Sequence, residues 1–183
     1  MSFREDYLQD ADLAVAALRI GSAGAAVAVA ATATEINRAA DVSSRLVAAG
    51  ATLAVTEALH DGKTILLDTL AGSVCTLPAA TGSGARFKFV TSVIATSNSH
   101  KIQVTGNDVM QGVCLTSQDA GDTLVAFETA ADSDTITLNR STTGSTLRGE
   151  WFELEDIAAD LWAVRGVTAA TGTEASPFSA AVT

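Results

Sequence analysis

The pattern of apolar and polar residues changes once along the chain. Up to about residue 31 the apolar positions follow a loose helical spacing, with Leu8, Ala11, Ala14 or Val15, and Leu18 on one stripe and Leu13 and Ile20 beside it. From about Ala51 the period shortens to two. Thr52-Leu53-Ala54-Val55-Thr56-Glu57 alternates, as a half-buried strand does. Strand and turn signals then recur almost to the end. Asp61-Gly62 reads as a hairpin turn, Lys63 to Asp68 runs back, and Ser73 to Leu77 is a strand closed by Pro78, which cannot donate to a ladder. Arg86 to Ile94 is the longest apolar strand, with Phe87 and Phe89 on one face and Arg86 and Lys88 on the other. His100 to Val104, Met110 to Thr116, Thr123 to Glu128 and Thr135 to Asn139 follow, and Gly149 to Asp156 pairs with Leu161 to Arg165 across Ala158-Ala159-Asp160. About ten short strands at a spacing of roughly 8–12 residues predict an all-β fold, an antiparallel β-sandwich or barrel of jelly-roll-like kind. Long helical crossovers between the strands are missing, which argues against a parallel α/β sheet.

Two segments precede this β-domain. Thr32-Ala33-Thr34-Glu35 matches a capping box and predicts one short helix through Ile36 to Ala40. That helix stops near Asp41-Val42-Ser43-Ser44, where short polar side chains compete for the backbone, or runs on to Gly50 as its terminal glycine. Residues 1–31 form an extended N-terminal arm. Its Gly21-Ser22-Ala23-Gly24-Ala25-Ala26 stretch has no anchor and cannot offset its own ordering entropy. The arm is therefore either disordered or ordered against a neighbouring subunit, and the second reading gives its large apolar side chains a use. The organisation expected is an arm over 1–31, a short helix and linker over 32–50, and a β-domain over 51–183 with a small-residue tail after Gly166. Pro177-Phe178 is the tail's one anchor. Candidate subunit or capsid-interface residues are Phe3, Tyr7, Leu8, Leu13, Leu18, Ile20, Pro177 and Phe178.

Composition narrows the function classes. The 183 residues suffice for one domain with a core plus extensions. The chain is 48% hydrophobic, but much of that is alanine, and aromatics are only 5%, so each Phe and Trp has to carry much of the packing. The net charge is −10 and the eleven basic residues are scattered, which argues against nucleic acid and against an anionic membrane surface as partners. The acidic start Met1-Ser2-Phe3-Arg4-Glu5-Asp6 is unlike a secretory leader, and the apolar run from Gly21 to Ala33 is too short to span a bilayer. Cys75 and Cys114 lie far apart in apolar runs and read as free buried thiols.

Candidate chemistry is sparse. Gly82-Ser83-Gly84 follows a strand, as a phosphate cradle would. A P-loop, however, needs Lys-Ser/Thr where Ala85-Arg86 stands, and a dinucleotide fingerprint needs a helix where Phe87 opens a strand. His60 and His100 are the only histidines, neither with a ligand partner nearby in sequence, and no Gly-x-Ser-x-Gly elbow points to a triad. Glu150, Glu153, Glu155 and Asp156 crowd Trp151 and Phe152, a pairing of carboxylates and platform that glycoside chemistry uses, but an acidic face beside a buried aromatic pair explains them more simply. Asp119, Asp122, Asp132 and Asp134 lack the spacing of a calcium loop and read as turn residues. The expectation is no enzyme activity, no cofactor and no metal.

A family resemblance adds to this. Thr34-Glu35-Ile36-Asn37-Arg38-Ala39-Ala40-Asp41-Val42-Ser43, Leu77-Pro78-Ala79-Ala80-Thr81-Gly82-Ser83-Gly84 and Thr96-Ser97-Asn98-Ser99-His100 resemble small structural proteins of tailed bacteriophages. So do Asp134-Thr135-Ile136-Thr137-Leu138-Asn139 with Thr142-Thr143-Gly144, and the closing Gly172 to Ala180. From about residue 32 onward the chain looks most like the head decoration, or cement, proteins. That resemblance implies a β-rich virion protein on the outer capsid surface, commonly a homotrimer over three-fold positions, with the phage major capsid protein as partner. The Thr-x-x-Glu-Ile-Asn segment also looks like pieces of phage tail fibres, so a tail or fibre protein binding a host receptor is the alternative.

Overall fold

The structure is a computed structural model that describes residues 19–20, 27–28, 31–32, 35–36, 45–119 and 123–182. The chain divides into two units, residues 1–37 and 38–183. In the first, β1 (Arg19–Ile20) pairs antiparallel with β2 (Val27–Ala28). The capping box forms as its sequence predicts. The Thr32 N–H and hydroxyl donate to Glu35 Oε2 at 2.6 and 2.8 Å, and the Glu35 N–H donates back to Thr32 Oγ1 at 3.2 Å.

The second unit is a sandwich of two mixed sheets, so the all-β expectation holds. The larger sheet contains β3 (Leu46–Ala48), β5 (Thr64–Leu67), β7 (Arg86–Thr91), β9 (Val109–Gln118), β10 (Leu124–Glu128), β12 (Trp151–Ala158) and β13 (Leu161–Ala170). Its order is β10-β9-β13-β12-β7-β5-β3. The smaller contains β4 (Thr52–Ala54), β6 (Val74–Thr76), β8 (His100–Gln103), β11 (Thr135–Leu138) and β14 (Phe178–Ser179), in the order β14-β11-β8-β6-β4.

Successive strands from β3 to β8 alternate between the sheets. Three arches result, β3–β4, β5–β6 and β7–β8, stacked so that β3, β5 and β7 run parallel in one sheet and β4, β6 and β8 run parallel in the other. Parallel neighbours normally need a long crossover. Here the strand in the opposite sheet is that crossover, which is why the sequence shows no helix between them. The chain from β9 onward is mostly antiparallel, with hairpins β9–β10 and β12–β13 and one parallel contact, β13 to β9.

Three local expectations change. The end of the linker region carries a strand, β3 (Leu46–Ala48), followed by Gly50 with φ +60°, and is not the tail of a long helix. Asp61-Gly62 does not close a hairpin: α1 (Glu57–His60) makes one turn, and the chain then passes from β4 in one sheet to β5 in the other. The tail after Gly166 begins as strand, because β13 continues to Ala170 beside β9.

The core lies between the sheets. Ile65, Leu67, Phe87, Phe89, Phe152, Leu154, Trp162 and Val164 of the larger sheet are fully buried, as are Cys75, Ile102, Ile136 and Leu138 of the smaller. Phe87 and Trp162 pack with ring centroids 5.7 Å apart. Gly166 is required by close approach: a Cβ there would lie 2.4 Å from the Phe152 ring, which covers its cross-strand partner directly.

Candidate functional site

The acidic strand β12 separates its carboxylates by parity. Residues an odd number apart on a strand point to opposite faces. Glu150, just before the strand, and Phe152, Leu154 and Asp156 on it are buried, whereas Trp151, Glu153 and Glu155 are half-buried on the outer face. Glu150 and Glu153 therefore do not face each other across a cleft. Glu155 instead pairs with Arg86 at 2.8 Å, and the Lys88 ammonium lies 5.2 Å from the centre of the Trp151 ring.

The buried carboxylates all hold backbone. Asp156 accepts hydrogen bonds from the N–H groups of Thr81, Gly82 and Ser83 at 2.7–3.1 Å and from the Ser83 hydroxyl at 2.9 Å. This is the glycine loop that the sequence offers as an anion cradle. It is such a nest, with Gly82 at φ +81°, and its anion is supplied by the chain itself. Burial pushes the Asp156 carboxyl up, but the N–H donors of Thr81, Ser83 and Gly82 outweigh it and hold the group below the usual carboxylate range. Glu150 closes a second nest, accepting from the N–H groups of Ser145, Thr146 and Leu147 at 2.6–2.7 Å. Asp108 accepts from the Ala80 N–H at 2.7 Å and the Trp162 indole at 3.3 Å. Asp134 accepts from the N–H groups of Ala181 and Val182 at 2.7 and 2.9 Å, tying down the C-terminal tail. Of the other aspartates weighed for a cation, Asp119 and Asp132 are exposed and Asp122 lies outside the described residues. Among the described residues no three His, Cys, Asp or Glu side chains converge as metal ligands do.

The histidines are also framework. His100 is buried. Its Nδ1 accepts the Ser73 N–H at 2.9 Å and its Nε2 donates to the Val93 carbonyl at 2.8 Å, which fixes the neutral tautomer. Burial lowers its pKa, against the opposing pull of the Val93 carbonyl. His60 Nδ1 accepts the Thr56 N–H at 2.9 Å and so closes the single turn of α1. Cys75 and Cys114 are free and buried, as their sequence context predicts. Burial, reinforced by Asp68, pushes the Cys75 thiol up to about 12, and burial likewise raises that of Cys114.

Of the eight interface candidates, Phe3, Tyr7, Leu8, Leu13 and Leu18 lie outside the described residues, and Ile20 is placed only as a β1 strand position. Pro177 and Phe178 are buried in the chain's own domain. β14 pairs with β11, and the Phe178 ring meets Phe152 edge-on at 6.2 Å. These two side chains therefore close the core rather than reach outward, because a strand-paired aromatic beside Phe152 gains more by burial at home.

What sequence reasoning missed is the outer face of the larger sheet. Cross-strand register lines up Ala48, Leu66, Val90, Trp151, Val167, Leu115 and Ala126, one residue from each of the seven strands and every one apolar. Val167 is 40% exposed and Leu115 is 37% exposed. The next row on one side holds Lys88, Glu153 and Arg165 side by side. No single strand reveals this row; only the register does. Comparison with family models, with curated proteins and with solved structures finds no match for this chain.

Proposed function

We propose that this chain is a structural protein of a virus particle, and specifically a decoration protein that binds the outside of a tailed-phage capsid and bridges its capsomers. The observation that carries the reading is the use made of the acidic residues. Asp108, Asp134, Glu150 and Asp156 are each spent on holding loops to the sandwich. The product is a rigid β scaffold, and the family resemblance of residues 32 onward accounts for what such a scaffold is for. The mechanism is mechanical: modest contacts per subunit, multiplied by the symmetry of the shell, resist the pressure of packaged DNA. A surface with an excess of negative charge stays off the genome and meets the outer shell. The arm over 1–31 supplies the reach between neighbours.

The test is co-sedimentation of the purified chain with emptied capsids of the encoding phage, alongside a chain lacking residues 1–31. Saturable binding by the full chain and sharply weakened binding by the truncated one are expected. Full occupancy without the arm removes the arm's role, and no binding by the full chain removes the capsid as partner.

A further inference from the structure

We infer that the end of the sandwich formed by β3 and β4 is a two-fold interface, and that it pairs edge to edge with the same end of a second copy of this chain. The inference stands apart from the capsid reading. β3 is the edge strand of the larger sheet and β4 the edge strand of the smaller. They are the two legs of one arch, so both edges open at the same end of the sandwich.

The hydrogen bonds show which main-chain groups are open. Thr64 donates its N–H to the Arg45 carbonyl at 2.9 Å and Ala49 donates to the Leu66 carbonyl at 3.0 Å, so the odd-numbered residues of β3 face β5. Val74 donates to the Ala51 carbonyl at 2.9 Å and Val55 to the Thr76 carbonyl at 2.8 Å, so the odd-numbered residues of β4 face β6. Main-chain groups alternate sides along a strand. The N–H and C=O of Leu46, Ala48, Thr52 and Ala54 therefore point away from the sheets, and among the described residues nothing pairs with them. All four residues are exposed, Leu46 at 63%. Edges of this kind are normally guarded by charge, proline or a bulge. Leu46-Val47-Ala48 and Thr52-Leu53-Ala54 carry none of these. The opposite end is guarded: β14 is two residues long and follows Pro177, and β10 ends on Glu128. Between the two open edges, Val47 and Leu53 pack against the core but are only half-buried. They stand equally far along the chain on either side of Gly50, whose N–H is held by Asp68 Oδ1 at 2.8 Å, and so share one level of the arch.

These features specify the occupant. It has to present two strand edges about 10 Å apart, the spacing of packed sheets. A single added strand fills one edge and leaves the other open. The same end of a second copy presents both. A two-fold axis perpendicular to the sheets, at the level of Val47 and Leu53, makes both pairings antiparallel at once. Leu46 then exchanges main-chain hydrogen bonds with Ala48 of the second copy, and Thr52 with Ala54. Val47 meets Val47 and Leu53 meets Leu53 at the close positions between those bonds, so each half-open core closes on the other. No like charges meet, because neither strand carries a charge. The strands are short, so the pairing is weak between free subunits and strengthens where copies are held side by side.

Amide exchange on the unmodified chain, followed by NMR at micromolar and millimolar concentration, is the first arm of the test. The amides of Leu46, Ala48, Thr52 and Ala54 should slow together, by about fivefold or more, at the higher concentration. In the second arm, Ala48→Pro and Ala54→Pro each remove an N–H that points away from the sheets. Each should keep its far-ultraviolet dichroism and stay monomeric in sedimentation velocity where the parent dimerises. The third arm fixes axis and register by disulfide formation under mild oxidation, the native thiols being buried. Leu46→Cys mixed with Ala48→Cys should cross-link, and neither should do so alone. Cross-linking of Leu46→Cys to itself would shift the register, and cross-linking to Ala54→Cys would turn the axis along the strands; either overturns the proposal. So would a chain that is monomeric throughout, or a dimer indifferent to both proline variants. Protection confined to β3 or to β4 marks a single added strand as the occupant, which also overturns it.

Discussion

Trp151 and Phe152 are neighbours on β12 and point to opposite sides of one sheet. Phe152 is 1% exposed, against Gly166 and edge-on to Phe178, while Trp151 is half-buried under the Lys88 side chain. The inner face is closed by the second sheet, whose edge strand is the C-terminal β14. The outer face carries an apolar register row across all seven strands, with the Lys88 ammonium over the Trp151 ring in its middle. The difference teaches that apolar residues on this sheet serve two ends. Inside they hold the fold; outside they line one register row that is half-buried or exposed. The carboxylates divide in the same way, since those that point inward tie loops and those that point outward, Glu153 and Glu155, sit among cations.

The comparison can be broken from the inside first. Phe152→Ala should lower stability by about 3–5 kcal/mol, through lost burial and a cavity beside Gly166 and Phe178. Urea denaturation followed by Trp fluorescence reads it, and a loss under 1 kcal/mol would mean that the inner face is not the core. Asp156→Asn should lower stability by about 2 kcal/mol, because the loop 81–84 keeps its N–H donors and loses half of its charged acceptor. Gly166→Ala should cost about 1–3 kcal/mol, as the Phe152 ring must shift to admit a methyl group.

The pH dependence sharpens the same contrast. His100 has a folded pKa below its ordinary 6.5, so the unfolded chain binds the proton more readily. Its contribution is complete above about 6.5 and is lost as pH falls below that value. Asp156 has a folded pKa below its ordinary 3.8, so its contribution is present above that and is lost as pH falls through the folded value. Stability should therefore fall in two acid steps. His100→Gln removes the first step and Asp156→Asn the second, each read by denaturation at a series of pH values. The smallest effect belongs to the outer face: Leu115→Glu should leave stability within about 0.5 kcal/mol of the parent. A large loss there would make the outer row part of the core.

Much of the fold was legible in period-two alternation. Phe87, Phe89, Phe152, Leu154, Trp162 and Val164 fall inward as alternation requires, and the β12–β13 hairpin turns at Asp160, with φ +60°, where expected. The arches were not legible. A turn after an alternating strand looks the same whether the chain folds back beside itself or crosses to a facing sheet, and Asp61-Gly62 does the second. The candidate chemistry was legible in part. Gly82-Ser83-Gly84 has the glycines of an anion nest, but its occupant, Asp156, lies more than 70 residues further on. Asp134 bonds to the tail and Asp108 to Trp162 by the same kind of distant pairing. Pro177-Phe178 was correctly marked as the tail's anchor; what it anchors to is the chain's own core.

The most direct test of the proposed decoration role is whether the chain sits on the head of a phage particle at all. If the proposal holds, gold-labelled antibody to the β-domain, imaged on intact virions of the source phage, should decorate the head at regular positions and leave the tail bare. Label on the tail or its fibres, with a bare head, would contradict a decoration protein and turn the same sandwich into a host-binding module.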